Sequence, residues 1–481
     1  MTTTSAPPGR PAFRVLNHIS TNNIKGDLFG GVTAAVIALP MALAFGVASG
    51  AGPEAGLWGA VLVGLFAALF GGTPSLISEP TGPMTVVMTA VIASLTAQAP
   101  DRETGLAMAF TVVMMAGLLQ IAFGFLKLGR YVTQMPYTVI SGFMSGIGVI
   151  LMILQLGPFL GQAIPKGGVI GTLQALPSLL QNARPSEVIL SLLTLAILWL
   201  TPGRLKKIAP PQLIALVIGT VLSLTVLTGA ADGGEGVRRI GAIASGFPNF
   251  HAPHFEVGQL RLMLVDAAVL GMLGCIDALL TAVIADSITR TESDSNKELI
   301  GQGLGNFASG LFGGLPGAGA TMGTVVNIQA GGRSALSGIS RAVILMVVIL
   351  AFSGVAAQIP QAVLAGIALK VGVDIVDWGF LKRAHRISIS GALIMYLVIA
   401  LTVFVDLIAA VGIGVFIANI LTIDKMSALQ SKSVKSISTG DGDLDISDDE
   451  RQLLDQGRGQ VLLFQLNGAM IFGVAKAIGR E

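Results

Sequence analysis

A chain of 481 residues with 53% apolar and only 12% charged side chains has too little charge to cover a surface facing water. Its mean hydropathy of +0.78 points to lipid as the solvent over much of the outside, and its formal charge of +2 gives no basis for binding nucleic acid. One cysteine, Cys275, excludes an intramolecular disulfide framework, and no Ser/His/Asp, Cys/His or phosphate-loop pattern points to a hydrolase or an ATP-driven pump.

The first 25 residues are polar and interrupted by Pro7, Pro8 and Pro11, so the first apolar span has to act as the insertion signal. Apolar segments follow at 28–47, 57–71, 82–98, 105–126, 137–159, 186–202 and 210–229. After a Gly-rich polar interval, a second set runs at 261–286, 298–314, 320–330, 337–354, 359–376, 388–404 and 407–423. The pattern predicts an all-α polytopic membrane protein with fourteen transmembrane segments. Because each set holds an odd number of spans, the two halves are predicted to insert with opposite topology, as inverted repeats.

Lys127, Arg130, Arg204, Lys206, Lys207, Arg290, Lys297, Arg333, Lys382, Arg383 and Arg386 collect on one side of this arrangement, against Arg102, Lys166, Arg184, Arg238 and Arg239 on the other. That bias places both termini in the cytoplasm of a cell whose plasma (inner) membrane the chain spans. The predicted division is a cytoplasmic segment 1–26, a first repeat 27–230, an outer loop 231–260, a second repeat 261–424 and a polar, acidic linker 425–460. Residues 461–481 open with an alternating strand pattern, Val461 to Leu466, and Asn467-Gly468 as a turn. So short a piece buries too little to fold alone and reads as the start of a cytoplasmic domain.

The third segment of each set is irregular. One opens Glu79-Pro80-Thr81-Gly82-Pro83 and the other Pro316-Gly317-Ala318-Gly319-Ala320-Thr321, each followed by threonine and β-branched residues. Interrupted segments in corresponding places of two halves point to a transporter's binding site, although Pro/Gly kinks without function also occur in membrane helices. Half-helices starting inside the bilayer at Thr81 and Gly82, and at Ala320 and Thr321, would present free N–H groups to an anion. Each start is worth roughly half an elementary charge, so a facing pair suits a monovalent anion.

Asp277 lies deep in the eighth span, with Thr281 four residues on and so on the same face. A carboxylate and a hydroxyl beside broken-helix carbonyls make an oxygen-only cage for a hard cation such as sodium; a proton is the other candidate, because burial favours the neutral acid. A structural ion pair would require a buried base, and none is expected near the middle of a span; Lys370 is nearest but precedes Asp374 and Asp377 at helical spacing. Asp266, Asp286 and Asp406 read as span-end charges, and Glu79 as a capping or orienting group. His251 and His254 form an isolated HxxH in a predicted loop. No aromatic residue occurs in either irregular opening, which disfavours a nucleobase as substrate.

The chain resembles the SulP anion transporters, the sulfate permeases and their relatives. The likeness rests on Gly26-Asp27-Leu28-Phe29-Gly30-Gly31, Ala38-Leu39-Pro40-Met41-Ala42-Leu43-Ala44-Phe45-Gly46, Glu79-Pro80-Thr81-Gly82-Pro83, Gly274 to Thr281, Gly317 to Thr324 and Val373 to Arg383. Within the family it is most similar to bicarbonate transporters. The resemblance implies seven-plus-seven inverted repeats forming a core domain and a gate domain, sodium-coupled bicarbonate import, and a STAS domain through which full-length chains form homodimers. It implies that Asp277, Thr281, Gly319, Ala320 and Thr321 hold Na+, and that Thr81, Gly82, Ala320 and Thr321 contact bicarbonate. Only the beginning of a STAS domain is expected within 461–481. Proton-coupled or exchange transport of sulfate or another small anion is the alternative, and an anion channel or a scaffold would not need Asp277.

Overall fold

A computed structural model describes residues 21–129, 137–206, 209–227, 236–241 and 246–405 continuously, together with 434–437, 463–466 and a few isolated positions. Its first half contains α1 (Ile24–Ser49), α2 (Pro53–Phe70), β1 (Ser78–Glu79), α3 (Gly82–Gln98), α4 (Arg102–Phe125), α5 (Tyr137–Leu154), α6 (Gly168–Gln181), α7 (Pro185–Leu200) and α8 (Pro211–Thr225). The second contains α9 (Leu260–Thr289), α10 (Ser295–Leu311), β2 (Ala318–Gly319), α11 (Thr321–Gln329), α12 (Ala335–Ala356), α13 (Gln361–Ile375), α14 (Trp378–Ile387) and α15 (Ile389–Phe404). Single helical turns at Leu156–Phe159 and Gly203–Lys206 complete the described helices.

Every predicted span up to 388–404 coincides with a helix, whereas 407–423, apart from Ile413 and Ile417, and Asp406 lie outside the described residues. By length and composition alone, α1, α2, α4, α5, α9 and Ala335–Phe352 of α12 can cross a membrane, while α3, α8 and α15 are apolar but shorter. Two helices were not foreseen. Residues 168–181, expected as loop, form α6, which meets α7 at a bend of 116°. Trp378–Ile387 form α14, capped by Asp377, whose carboxylate accepts the Phe380 N–H. Within the expected linker, Val434–Ile437 form β3, antiparallel to β4 (Leu463–Leu466), which falls in the predicted strand pattern.

The helix ends follow local chemistry. Gly50 closes α1 at φ 80°, and Asp101 caps α4 by accepting the Thr104 N–H at 2.8 Å. That hydrogen bond holds the Asp101 carboxyl below the ordinary carboxylate range.

The two halves repeat one order: two long helices, a two-residue strand leading into a half-helix, two further helices, then α6 or α14 and another apolar helix. Their packing repeats too. The first helix of each half lies on the fourth of the other, α1 on α12 and α9 on α4, while α10 fills the space between α2 and α4. Such reciprocal contacts are what inverted halves related by a pseudo-two-fold axis produce. Helices α5, α7, α8, α13 and α15 form a second group, in which α5 packs on α13 and α15 and α7 on α8 and α13.

Close approach depends on small residues, because apolar surface gives little drive for helix association in lipid. A Cβ at Gly117 or Gly303 would fall 2.5 Å from the backbone of the facing helix, so α4 and α10 meet backbone to backbone. Buried carboxylates then fix the turns. Glu298 accepts the N–H groups of Gly72 and Thr73 at 2.9 and 2.8 Å and the Gln302 amide at 2.8 Å. Asp27 does the same for the turn after α11, accepting the Arg333 and Ser334 N–H groups at 2.6 and 3.0 Å and the Ser334 hydroxyl at 2.6 Å.

Replacing Glu298 by Ala leaves two buried N–H groups without an acceptor, so Glu298→Ala should cost about 3 kcal/mol and Glu298→Gln clearly less. Thermal unfolding of the purified protein in detergent measures this; equal melting of wild type and Glu298→Ala would refute the staple.

Candidate ion-binding site

The two irregular segments meet. β1 and β2 pair antiparallel, with Ser78 opposite Gly319 and Glu79 opposite Ala318, so α3 and α11 begin within a few residues of one short ladder. Thr81 is the N-cap of α3 and Ala320 that of α11, both with extended backbone. The first intrahelical bonds run from the Thr85 N–H to Thr81 and from the Thr324 N–H to Ala320. The N–H groups of Gly82 and Met84, and of Thr321, Met322 and Gly323, therefore precede any intrahelical acceptor; Pro83 has none to offer. The Ala320 N–H donates to the Ile77 carbonyl at 2.8 Å, so at the second helix the donors facing forward begin at Thr321.

α9 passes directly beside this junction. Asp277 Oδ2 accepts a 2.7 Å hydrogen bond from Thr81 Oγ1. Thr281 Oγ1 donates to the Gly319 carbonyl at 2.8 Å and lies 3.1 Å from Thr321 Oγ1. Glycine at 319 permits the approach, since a Cβ there would lie 2.9 Å from Thr281 Cβ and 3.1 Å from Ala278 Cα. Thr81, Asp277, Thr281, Gly319 and Ala320 are buried, and Thr321 is exposed. Gly82 faces the second helix group: a Cβ on it would collide with the Ile375 side chain of α13. All seven residues singled out in the sequence thus lie around one junction, where Thr81 bonds Asp277 and Thr281 bonds both Gly319 and Thr321.

Sequence reasoning missed one member of this region. Arg341, on α12, is fully buried and pairs with Glu79, a buried base of the kind the sequence reading does not expect near the middle of a span. Its Nη1 also donates to the carbonyls of Ser78 at 3.0 Å and Ala60 at 3.2 Å, so one guanidinium grips β1 by both backbone and side chain. Gly64 makes the room, since a Cβ there would sit 2.6 Å from Nη1. Its partner is Glu79 and not Asp277, so the carboxylate of α9 is not neutralised by it. The available signal was an arginine inside the apolar run Ser340-Arg341-Ala342-Val343-Ile344-Leu345, which demands a partner acid. Amides complete the frame: Asn306 bonds both the N–H and the carbonyl of Gly317 at 2.7 and 2.9 Å, and Gln302 donates to Ser78 Oγ at 2.5 Å.

The remaining residues noted in the sequence stand apart. His251 packs its ring 5.3 Å from that of Phe110, and the His254 N–H donates to Thr111, with no group of three metal-ligating side chains among the described residues. Lys370 pairs with Asp374 at 2.5 Å. A cavity of about 840 Å³ runs along α3 from Val86 to Thr96, edged by Arg102, Lys166 and Arg238; none of the seven junction residues lines it.

Residues 24–398 match the sulfate permease family. A Synechocystis sp. protein named bicarbonate transporter BicA is 72% identical over 468 residues, which are 97% of this chain and 82% of that relative. The solved transmembrane domain of a cyanobacterium bicarbonate transporter BicA superposes with a TM-score of 0.78 at 71% identity, covering 83% of this chain and 100% of that one. The murine Solute Carrier 26 family member A9 anion transporter in the inward-facing state has the same fold at only 20% identity, with a TM-score of 0.77 over 90% of this chain and 74% of that one.

Removing one partner of a buried ion pair strands the other, at a cost of about 3–5 kcal/mol. Arg341→Met should therefore destabilise the protein by about that much, and the double variant Glu79→Gln/Arg341→Met should recover most of it. Detergent-solubilised melting curves of the wild type, Glu79→Gln, Arg341→Met and the double variant measure the coupling; additive losses would place the two residues in independent roles.

Proposed function

The chain belongs to the sulfate permease family, and from that membership we propose that it imports bicarbonate together with sodium across the plasma membrane by alternating access. It is a transporter and not an enzyme. The observation that carries the proposal is the 2.7 Å hydrogen bond from Thr81 to Asp277, which joins a helix start suited to an anion to a carboxylate suited to a cation. The 72% identical relative named as a bicarbonate transporter supports the choice of anion, as does the charge of two helix starts, together about one elementary unit.

In this reading Na+ is cargo, held by the Asp277 carboxylate, the hydroxyls of Thr281 and Thr321 and backbone oxygen at Gly319 and Ala320. These are the hard oxygen donors that an alkali cation accepts. Bicarbonate lies against the N–H groups that open α3 and α11, beside Thr81, Gly82, Ala320 and Thr321. With no cation bound, the negative charge of Asp277 offsets the positive ends of the two helices, and Thr81 directs its proton to Asp277. Sodium neutralises the carboxylate, restores the positive field and releases the Thr81 hydroxyl toward the anion. The same free energy works in both directions, so the anion also tightens sodium.

Helices α1–α4 and α9–α12 act as a core that carries the site, and the group around α5, α7, α8, α13 and α15 as the gate, with Gly82 and Ile375 at the boundary. The lysine and arginine bias supports an orientation with both termini cytoplasmic. Residues 461–481 are read as the opening of a STAS domain that joins two chains as a homodimer, and membrane lipid surrounds the remainder.

Labelled bicarbonate and sulfate uptake into proteoliposomes, with sodium and proton gradients imposed separately, tests the assignment. Bicarbonate is expected to enter only with an inward sodium gradient, and Asp277→Asn should lower that uptake at least about tenfold. Sulfate entry driven by protons would overturn it. Thr81→Val should leave sodium affinity within about threefold while weakening sodium's effect on bicarbonate half-saturation, expected at ~5–150-fold in the wild type, to a smaller factor carried by the charge of Asp277 alone.

A further inference from the structure

Helix α14 has an uncommon surface. Phe380, Leu381 and Ala384 turn inward onto Ala392, Met395 and Ile399 of α15. The opposite face exposes Lys382, Arg383 and Arg386, none of which forms an ion pair with a carboxylate among the described residues. The two acids closest in sequence are bound to other groups, although the Arg383 charge also acts on Asp377 and the Arg383 Nε donates to the Gly379 carbonyl at 3.0 Å. Asp374 holds Lys370, and Asp377 accepts the Tyr137 hydroxyl at 2.6 Å and the Ser141 hydroxyl at 3.0 Å. Beside the cations, large apolar side chains are left uncovered: Trp378 is 49% exposed, Ile387 69% and Ile389 72%. Cationic heads next to an indole and bare aliphatic groups are the composition of a helix lying in a membrane interface.

The inverted repeat supplies an internal control. α6 occupies the corresponding place in the first half, following α5 as α14 follows α13, and so belongs at the opposite face of the bilayer. Within Gly168–Gln181 it contains no ionisable residue. The same structural position is thus uncharged on one side and carries three fixed cations on the other, a difference that packing against the neighbouring helix does not require. Anionic lipid is concentrated in the cytoplasmic leaflet, the side on which the orientation proposed above places α14.

We infer that α14 is a docking surface for anionic lipid headgroups of the cytoplasmic leaflet, with Lys382, Arg383 and Arg386 holding the headgroup and Trp378, Ile387 and Ile389 facing the acyl boundary. The inference rests on the proposed orientation but not on the identity of the transported anion. Its mechanical consequence follows from the contacts of α14. The Asp377 cap ties its start to α5, and Phe380 meets Tyr137 edge-on with ring centroids 5.1 Å apart. A headgroup bound here anchors the gate group to the leaflet while the core moves past it.

The chain has three tryptophans, Trp58, Trp199 and Trp378, so Trp58→Phe/Trp199→Phe leaves Trp378 as the sole reporter. This protein is reconstituted in phosphatidylcholine vesicles containing, at one mole fraction, either brominated phosphatidylglycerol or brominated phosphatidylcholine. Quenching by the anionic lipid should exceed that by the neutral one by roughly threefold at low salt and fall toward parity at high salt. Adding Lys382→Gln/Arg383→Gln/Arg386→Gln should abolish the preference without changing the melting transition. If the double tryptophan variant does not fold, the difference between wild type and Trp378→Phe provides the same quantity. Equal quenching by the two lipids, or a preference that survives the triple substitution, overturns the inference. So does a preference that emerges only once Asp441, Asp443, Asp445, Asp448, Asp449 and Glu450 are neutralised, since the chain's own acidic stretch would then be the occupant.

Discussion

A carboxylate taken out of water where the starts of two helices meet is the interaction on which the proposed transport depends. The start of α3 and the start of α11 each bring a positive end to one junction, where Asp277 accepts the Thr81 hydroxyl at the first and Thr281, four residues on, lies against Gly319 and Thr321 at the second. Opposite charges this close in a weakly screening interior cannot be occupied independently. Any cation that neutralises the acid alters the field at the helix starts, and any anion at the helix starts alters the affinity for the cation. In the proposed function, coupling is a consequence of where the groups lie and requires no relay between distant sites.

The remainder of the core serves to keep that geometry. Two residues of β1 paired with two of β2 are far too little sheet to be stable alone. Side chains from surrounding helices reinforce them: Arg341 on β1, Asn306 on Gly317, Gln302 on Ser78, and Asn327 of α11 on the Ser75 carbonyl at 2.9 Å. Glycines at 64 and 319 keep open the space these contacts need. Buried polar groups stand where the backbone is not helical, because there no helical ladder satisfies its N–H and C=O groups.

How much of this was legible in the sequence depends on whether the signal was local. The half-helices were: proline and glycine at the openings, then threonine and β-branched residues, placed one at 82–98 and the other at 320–330, against observed Gly82–Gln98 and Thr321–Gln329. Asp277 and Thr281 stand out in the sequence because an acid inside an apolar run is costly and helical spacing fixes its face. The β1–β2 ladder was not, since two-residue strands have no periodicity and their partners are separated by most of the chain. Arg341 was lost in the hydropathy of its span, although Glu79 and Arg341 each called for the other. Helices α6 and α14 were read as loop for the opposite reason: one is interrupted by Pro177 and the other is too charged to register as a span. The Thr81–Asp277 bond depends on tertiary placement alone, and no spacing rule reaches it.

Reciprocal linkage is the most direct check on the central claim. Equilibrium binding of radiolabelled sodium to the purified wild-type protein, with and without saturating bicarbonate, measures it without any transport step. Bicarbonate is expected to tighten sodium binding by the same factor by which sodium tightens bicarbonate. Sodium binding that is indifferent to bicarbonate, at concentrations where the anion is demonstrably bound, would contradict it.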